Sequence, residues 1–226
     1  INWLRVMGQV SYYVWLAKQF TAPINVAIPS GNFGNAYSAW FGRNHGLPIN
    51  EILCSTNVND VLRRFIDGGV LEPLVTQPSV APSMDIQIPS SLERLIFDLS
   101  SDAKSFYDQL QTNSKAQLDE KSVDGLQNVF SSITFPDERI TTLIKSLHDE
   151  FALVFDPHSV TSIQMALDNN SSLPTVAVAT ASPEKFGNVI TPLISDFTES
   201  KIEEKEEYLT LSTENGEIIE AISAFL

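Results

Sequence analysis

Cys54 is the only cysteine among the 226 residues, and it sits inside an apolar run. A disulfide framework within the chain is therefore excluded, and a reducing, cytoplasmic setting fits best. Basic residues are also scarce. Lys and Arg number 14 against 28 Asp and Glu, a formal charge of −14. Such a balance argues against nucleic acid or an anionic membrane surface as the main partner. A small anionic ligand stays admissible, because local donors override the global field. No apolar run approaches the roughly 18–20 residues of a membrane span. His45 and His148 lack partners at metal-ligand spacing, so no metal site is predicted. No G-x-S-x-G elbow occurs, which tells against a Ser-His-Asp hydrolase. The chain opens at Ile1 with no signal-peptide grammar. A fragment and a mature protein with an ordinary N-terminal helix fit that opening equally well.

What is present reads as an ordinary globular chain, 43% hydrophobic and 19% charged. Residues 2–20 read as an amphipathic helix whose apolar face holds Trp3, Leu4, Met7, Val10, Tyr12, Val14 and Leu16. Residues 24–28 read as a short buried strand, 36–44 as a helix stopped by Gly46-Leu47-Pro48, 51–55 as a second strand, and 61–67 as a helix stopped by Gly68-Gly69. Strand, loop, helix, strand is a βαβ unit. It predicts an α/β fold: an open, mostly parallel sheet with helices on both faces. Four prolines mark 72–90 as an irregular connection. Helical patterns at 92–99, 102–111, 122–132 and 137–150 suggest a helical insertion over 92–150 within one large domain. A helix over 160–167, a strand over 175–179 and a helix from Pro183 to about Ile194 follow. The acidic run around Lys201 reads as a solvated face or linker, 209–211 as an edge strand, and 218–226 as a terminal helix.

The chemistry concentrates in "NVAIPSGNFGNAYSAWFG", residues 25–42. Here a strand runs into Ser30-Gly31-Asn32-Phe33-Gly34-Asn35 and then into a helix. Amides at a helix N-terminus lack internal partners, and the helix dipole adds positive potential there. Glycines allow close backbone approach, and Ser30 adds a hydroxyl. The product is a cradle for an anion, and phosphate fits it. A plain turn rich in Gly and Asn is the competing reading. Two features favour the cradle. It follows a predicted parallel strand, where open α/β sheets place ligands. It also lacks the Lys-Ser/Thr ending of a nucleotide P-loop and the G-x-G-x-x-G spacing, so a phosphate on something smaller than a dinucleotide is indicated.

"PSGNFGN", "TNVND", "DPHSV" and "ATASPEKF" occur in that order, with "SMDIQIPSSLERLIFDL" between the second and third. With these motifs the chain resembles threonine synthases, pyridoxal-phosphate enzymes of fold type II, over nearly its whole length. The resemblance implies conversion of O-phosphohomoserine and water to threonine and phosphate, with pyridoxal 5'-phosphate as electron sink. It places the cofactor's phosphate on Ser30, Gly31, Asn32, Phe33, Gly34 and Asn35, and a hydroxyl, Thr180, against the ring nitrogen. It also implies that the Schiff-base lysine lies upstream of this chain, which then corresponds to roughly the C-terminal half and is inactive alone. None of Lys18, Lys104, Lys115, Lys121, Lys145, Lys185, Lys201 and Lys205 sits in a segment that suits that lysine.

Asn57, Asn59 and Asp60 are candidates for lining the substrate side of the cleft. An Asx-turn at Asn57 with helix capping by Asn59 explains them equally well. His158 follows Asp156-Pro157 and reads as a first-turn residue. Arg63, Arg64 and Arg94 suit either a substrate phosphate or helix-surface ion pairs, of which the latter are commoner. Another fold type II lyase and a non-catalytic phosphate- or cofactor-binding paralogue are the alternative functions. Monomer and homodimer both stay open.

Overall fold

The computed structural model describes residues 3–100 and 102–198. The N-terminal helix α1 spans Trp3–Ala17 and is followed by strand β1 (Ile24–Pro29), helix α2 (Gly34–Asn44), strand β2 (Ile49–Thr56) and helix α3 (Val61–Gly68). Then come β3 (Val70–Leu71), α4 (Leu92–Ser100), α5 (Ala103–Asn113), β4 (Ala116–Gln117), α6 (Glu120–Gln127) and β5 (Phe130–Thr134). The described part closes with α7 (Asp137–Phe151), α8 (Ser159–Leu167), β6 (Thr175–Ala177) and the single turn α9 (Gly187–Ile190). The main sheet has the order β5-β2-β1-β6, and every pairing in it is parallel.

Each central strand is buried on both faces, as a parallel sheet between helices requires. Val26 and Ile28 of β1, with Ile52 and Cys54 of β2, pack into a core shared with α1, α2, α3 and α4. The alternate residues Ala27 and Leu53 face the opposite core, built from α7, α8 and α9. The expected three-layer α/β arrangement is therefore present. Helix α2 leaves β1 toward one face of the sheet, while α8 enters β6 from the other. A crevice opens where such neighbours part company, at the carboxyl ends of β1 and β6.

Several expectations need correction. The predicted helix over 122–132 is α6 followed by β5, which pairs parallel with β2 from Ile52↔Phe130 to Thr56↔Thr134. The segment 92–150 is thus helical on either side of a strand of the central sheet. The run of apolar residues there suited both periods, and pairing with β2 decided it. The buried stripe of α1 is Val6, Val10 and Tyr13. Trp3, Leu4, Met7 and Val14 belong to an adjacent exposed stripe. Both stripes are apolar, so spacing alone did not separate them. The short antiparallel ribbon β3–β4 was not anticipated. The helix expected over 183–194 is a 3-10 turn at Pro183–Phe186 followed by α9. Residues 209–211 and 218–226 lie outside the described residues.

Gly69 ends α3 with φ 69°, and a Cβ there would lie 2.4 Å from Val123 Cγ2 on α6. Both the left-handed backbone and the close approach demand glycine. Gly69→Ala is expected to cost about 1–3 kcal/mol, read as a lower urea midpoint at unchanged slope.

Candidate functional site

Loops at the carboxyl ends of β1 and β6 meet around one cleft. Ser30 leaves β1 buried and largely committed: its amide donates to the Ser55 carbonyl at 2.9 Å and its hydroxyl to the Ile28 carbonyl at 3.1 Å. Gly31 follows under the turn at 82–84. A Cβ on it would come within 2.6 Å of the Ser83 carbonyl oxygen and 3.2 Å of Met84 Cα. No other residue fits without moving that backbone. Phe33 is the N-cap of α2 in the left-handed region, φ 67° and ψ 6°, and no side chain caps the helix. Its ring is 2% exposed and lies 5.5 Å from the Phe130 ring. The amides of the first turn of α2 have no intrahelical acceptors. They open onto a cavity of about 230 Å³ lined by Gly31 to Asn35 together with Arg5, Gln9, Ser90 and Ser91.

The sequence-predicted residues therefore take unequal roles. Gly31, Asn32, Gly34 and Asn35 border the cavity. Ser30 and Phe33 also line it, but they anchor the loop through contacts beneath it. Asn32 further ties the loop to the chain beyond the connection, since Ser90 Oγ donates to Asn32 Oδ1 at 3.1 Å and the Ser91 amide to the Asn32 carbonyl at 3.1 Å. Tyr13 of α1 donates its hydroxyl to Asn35 Oδ1. Thr180 lines a neighbouring cavity of about 440 Å³ with Gln9, Tyr12 and Asn35. It also borders a smaller one of about 180 Å³ with Gly31, Ser83 and His158. Thr180 and the glycine loop, 145 residues apart in number from Asn35, are thus brought to the same cleft.

Asn57, Asn59 and Asp60 serve a different geometry. The Asn59 amide donates to Asn57 Oδ1 at 2.9 Å, which is the Asx-turn considered from sequence. Asn57 Nδ2 and Asn59 Nδ2 both donate to Asp85 Oδ1, at 2.6 and 2.9 Å, and the Ser79 amide donates to Asp85 Oδ2 at 3.0 Å. These bonds fasten the irregular connection over the end of β2. Asp60, not Asn59, caps α3, without a side-chain cap bond. Burial pushes the Asp60 carboxyl up, but Arg63 and Arg64, at 2.6 and 3.0 Å, outweigh it and hold the group below the usual range. Those two arginines are helix-surface partners here.

Sequence reasoning undervalued the "DPHS" segment. Asp156, His158 and Ser159 are buried. Asp156 Oδ1 accepts the His158 amide at 2.9 Å and His158 Nδ1–H at 2.8 Å, and Asp156 Oδ2 accepts the Ser159 hydroxyl. On the far side of the ring, His158 Nε2 accepts the Ser83 amide at 3.1 Å, which fixes the tautomer with hydrogen on Nδ1. Ser159 Oγ accepts the Thr180 amide at 3.0 Å. Burial pushes the Asp156 carboxyl up, but the donors from His158 and Ser159 prevail and hold it below its ordinary value. A clue did exist in the sequence: Asp, His and Ser opening a helix are three groups that satisfy one another.

No family model matches the chain. It is 32% identical to a threonine synthase of Pseudomonas aeruginosa in a 199-residue alignment that covers 84% of this chain and 42% of that protein. Its fold superposes on a PLP-bound threonine synthase from Brucella melitensis with a TM-score of 0.84, at 29% identity over 90% of this chain and 45% of that one. The chain belongs to the threonine synthase family. The yeast threonine synthase structure matches with a TM-score of 0.80 and 26% identity, over 99% of this chain and 48% of that one. The chain therefore spans less than half the length of these threonine synthases. Its α/β architecture is that of fold type II pyridoxal-phosphate enzymes. Among the described residues no helix is long and apolar enough to cross a membrane, and no group of His, Cys, Asp and Glu is arranged to hold a metal ion. The six lysines among them, Lys18, Lys104, Lys115, Lys121, Lys145 and Lys185, are all exposed. Lys201 and Lys205 lie outside that range.

Two outcomes follow from the charged and nucleophilic groups. A carboxyl whose folded pKa is depressed stabilises the fold above its unfolded value and loses that contribution as pH falls through the folded value. Asp156→Asn is therefore expected to cost about 2 kcal/mol near neutrality. Its deficit against the parent should shrink as pH drops below the ordinary carboxylate range, as read by denaturation at stepped pH. Burial pushes the Cys54 thiol up to about 12. At pH 8 its alkylation in the folded chain should be at least about a thousandfold slower than in urea.

Proposed function

We propose that this chain is the cofactor-phosphate portion of a threonine synthase, acting with the remaining polypeptide to convert O-phosphohomoserine and water to threonine and phosphate. The whole described chain, with 92–150 packed on it, is taken as one cofactor-binding body. The observation that carries the reading is the uncapped N-terminus of α2, opening on a cavity beneath a glycine loop at the carboxyl end of a parallel strand. Family membership agrees with it.

The residues present fit the phosphate of pyridoxal 5'-phosphate. Gly31 and Gly34 keep side chains out of the cradle, the first-turn amides of α2 supply donors, and Phe33 fixes their direction. Arg5 stands on the cavity rim and adds the formal positive charge that the amides lack. When bound, this cofactor supplies the electron sink for carbanion chemistry at the substrate. Thr180 is assigned to the ring nitrogen. A neutral hydroxyl at that position leaves the ring less charged than a carboxylate would. Asn57 and Asn59 shape the substrate side through the connection they fasten, and Asp60, held by Arg63 and Arg64, shapes it through the start of α3, since the polar atoms of all three are already engaged within the protein. The nucleophilic lysine is assigned to the other portion of the polypeptide. A nucleophilic lysine needs a desolvated pocket or cationic neighbours, and the exposed lysines here have no such pocket.

The complete polypeptide carrying this chain is expected to release phosphate from O-phosphohomoserine in a cofactor-dependent manner, and residues 1–226 alone to release none. Gly31→Ala in the complete polypeptide should weaken pyridoxal-phosphate binding about ten- to a hundredfold, the worth of one or two charge-assisted amide bonds. Unchanged cofactor affinity in Gly31→Ala would remove the cradle from the reading.

A further inference from the structure

The two walls of the cleft are not independent. Thr180 stands on one and Gly31 on the other, and between them runs an unbroken set of hydrogen bonds, buried at its centre and part-buried at both ends. The Thr180 amide donates to Ser159 Oγ at 3.0 Å, and Ser159 Oγ donates to Asp156. Asp156 accepts His158 Nδ1–H at 2.8 Å, and His158 Nε2 accepts the Ser83 amide at 3.1 Å. The carbonyl of that same Ser83 is the atom that bars a side chain at Gly31. Every direction in this set is fixed. Ser159 has one hydroxyl hydrogen, given to a carboxylate, so its lone pair faces the Thr180 amide. His158 has one ring hydrogen in the tautomer present, given to Asp156, so Nε2 is left to accept.

We propose that Asp156, His158 and Ser159 are positioning residues that lock Thr180 to the turn backing the glycine loop, so that one buried carboxylate sets the separation of the two cofactor-facing walls. The inference rests on the reading of Thr180 and Gly31 as cofactor-facing residues. Stability alone accounts poorly for this arrangement. A buried carboxylate and imidazole are costly to desolvate, and an apolar cluster of similar volume would serve a purely structural purpose at least as well. What polar groups add is direction: each fixes the orientation of the next. Residue 180 also lies in an exposed stretch beyond the end of β6, with no strand partner of its own. The bond to Ser159 supplies what the sheet does not.

The test uses Ser159→Ala in the complete polypeptide, with three readouts. Amide hydrogen exchange in the peptide 178–182 should accelerate at least tenfold, while exchange in β1 stays at the parent rate. The pyridoxal-phosphate dissociation constant should rise at least fivefold. The visible absorbance of the loaded protein should shift, because the group facing the ring nitrogen has moved. Unchanged exchange at 178–182, or faster exchange with unaltered cofactor affinity and absorbance, would overturn the proposal. Should Ser159→Ala fail to fold, Asp156→Asn carries the same readouts. Asn retains an acceptor for His158 but turns a donor toward Ser159, so two donors compete for Ser159 Oγ and its bond to the Thr180 amide, no longer oriented by a carboxylate, weakens. A parent that takes up no pyridoxal phosphate would refute the functional reading instead. The exchange experiment on the network would still report whether Ser159 holds Thr180.

Discussion

One backbone conformation governs the site: Phe33 in the left-handed region at the head of α2. A non-glycine residue there carries a cost of about 1–2 kcal/mol. Burying its ring against Phe130 returns about 1.5–3 kcal/mol. The aromatic side chain therefore holds the loop in a shape that the backbone alone would leave. With that residue turned, the chain enters α2 without a capping side chain, and the helix's leading amides remain open to a ligand. An Asp or Ser cap in the usual place would have satisfied those donors internally and closed the site. Strain at the N-cap and open amides in the first turn are two aspects of one design.

The second constraint is the connection between β3 and α4. It is long, rich in proline and almost without regular structure, yet it backs the glycine loop. Its order comes from Asp85, which gathers donors from Asn57, Asn59 and Ser79. An irregular segment has no ladder to satisfy its polar groups, so side chains must do so. The polar corner after β2 is thereby joined to the loop after β1 through the turn at 82–84. This is why Asn57 and Asn59 are buried although they stand at the mouth of a sheet, where ligand contacts are usual.

The parts legible from sequence were those written locally. The strand-loop-helix grammar of 24–44 depends on neighbours in the chain, and so does the stop at Gly69; both stood out in the sequence. The glycine loop was readable as a strand–helix junction because clear strand and helix patterns flank it on either side. Elements that depend on distant partners were not readable. β5 became a strand because β2 offered a parallel edge, against a local pattern equally suited to a helix. The buried stripe of α1 was chosen by the groove beside α2, not by its own periodicity. The linkage from Ser83 to Thr180 spans nearly a hundred residues of sequence and has no local signature. The "DPHS" motif showed its polar members, but only the fold shows where their free valences point.

A chain of charge −14 is an unpromising host for a phosphate until its charges are placed. Exposed carboxylates on outer helices act through solvent, and at physiological ionic strength their influence fades over about 8–10 Å. Carboxylates close to the cleft are the ones that would repel an anion. Asp85, beneath the connection at 72–90, and Asp156, behind His158, are each met by several hydrogen-bond donors. Such a carboxylate presents little uncompensated negative potential toward the cavity, because donor dipoles converge on it. The amides of α2, lacking acceptors of their own, present positive potential toward the same cavity. Net charge and local field therefore differ in sign at this point of the molecule. The acidic residues near the site serve as acceptors that orient the protein's own donors, and the α2 amides are the donors left open toward the cavity.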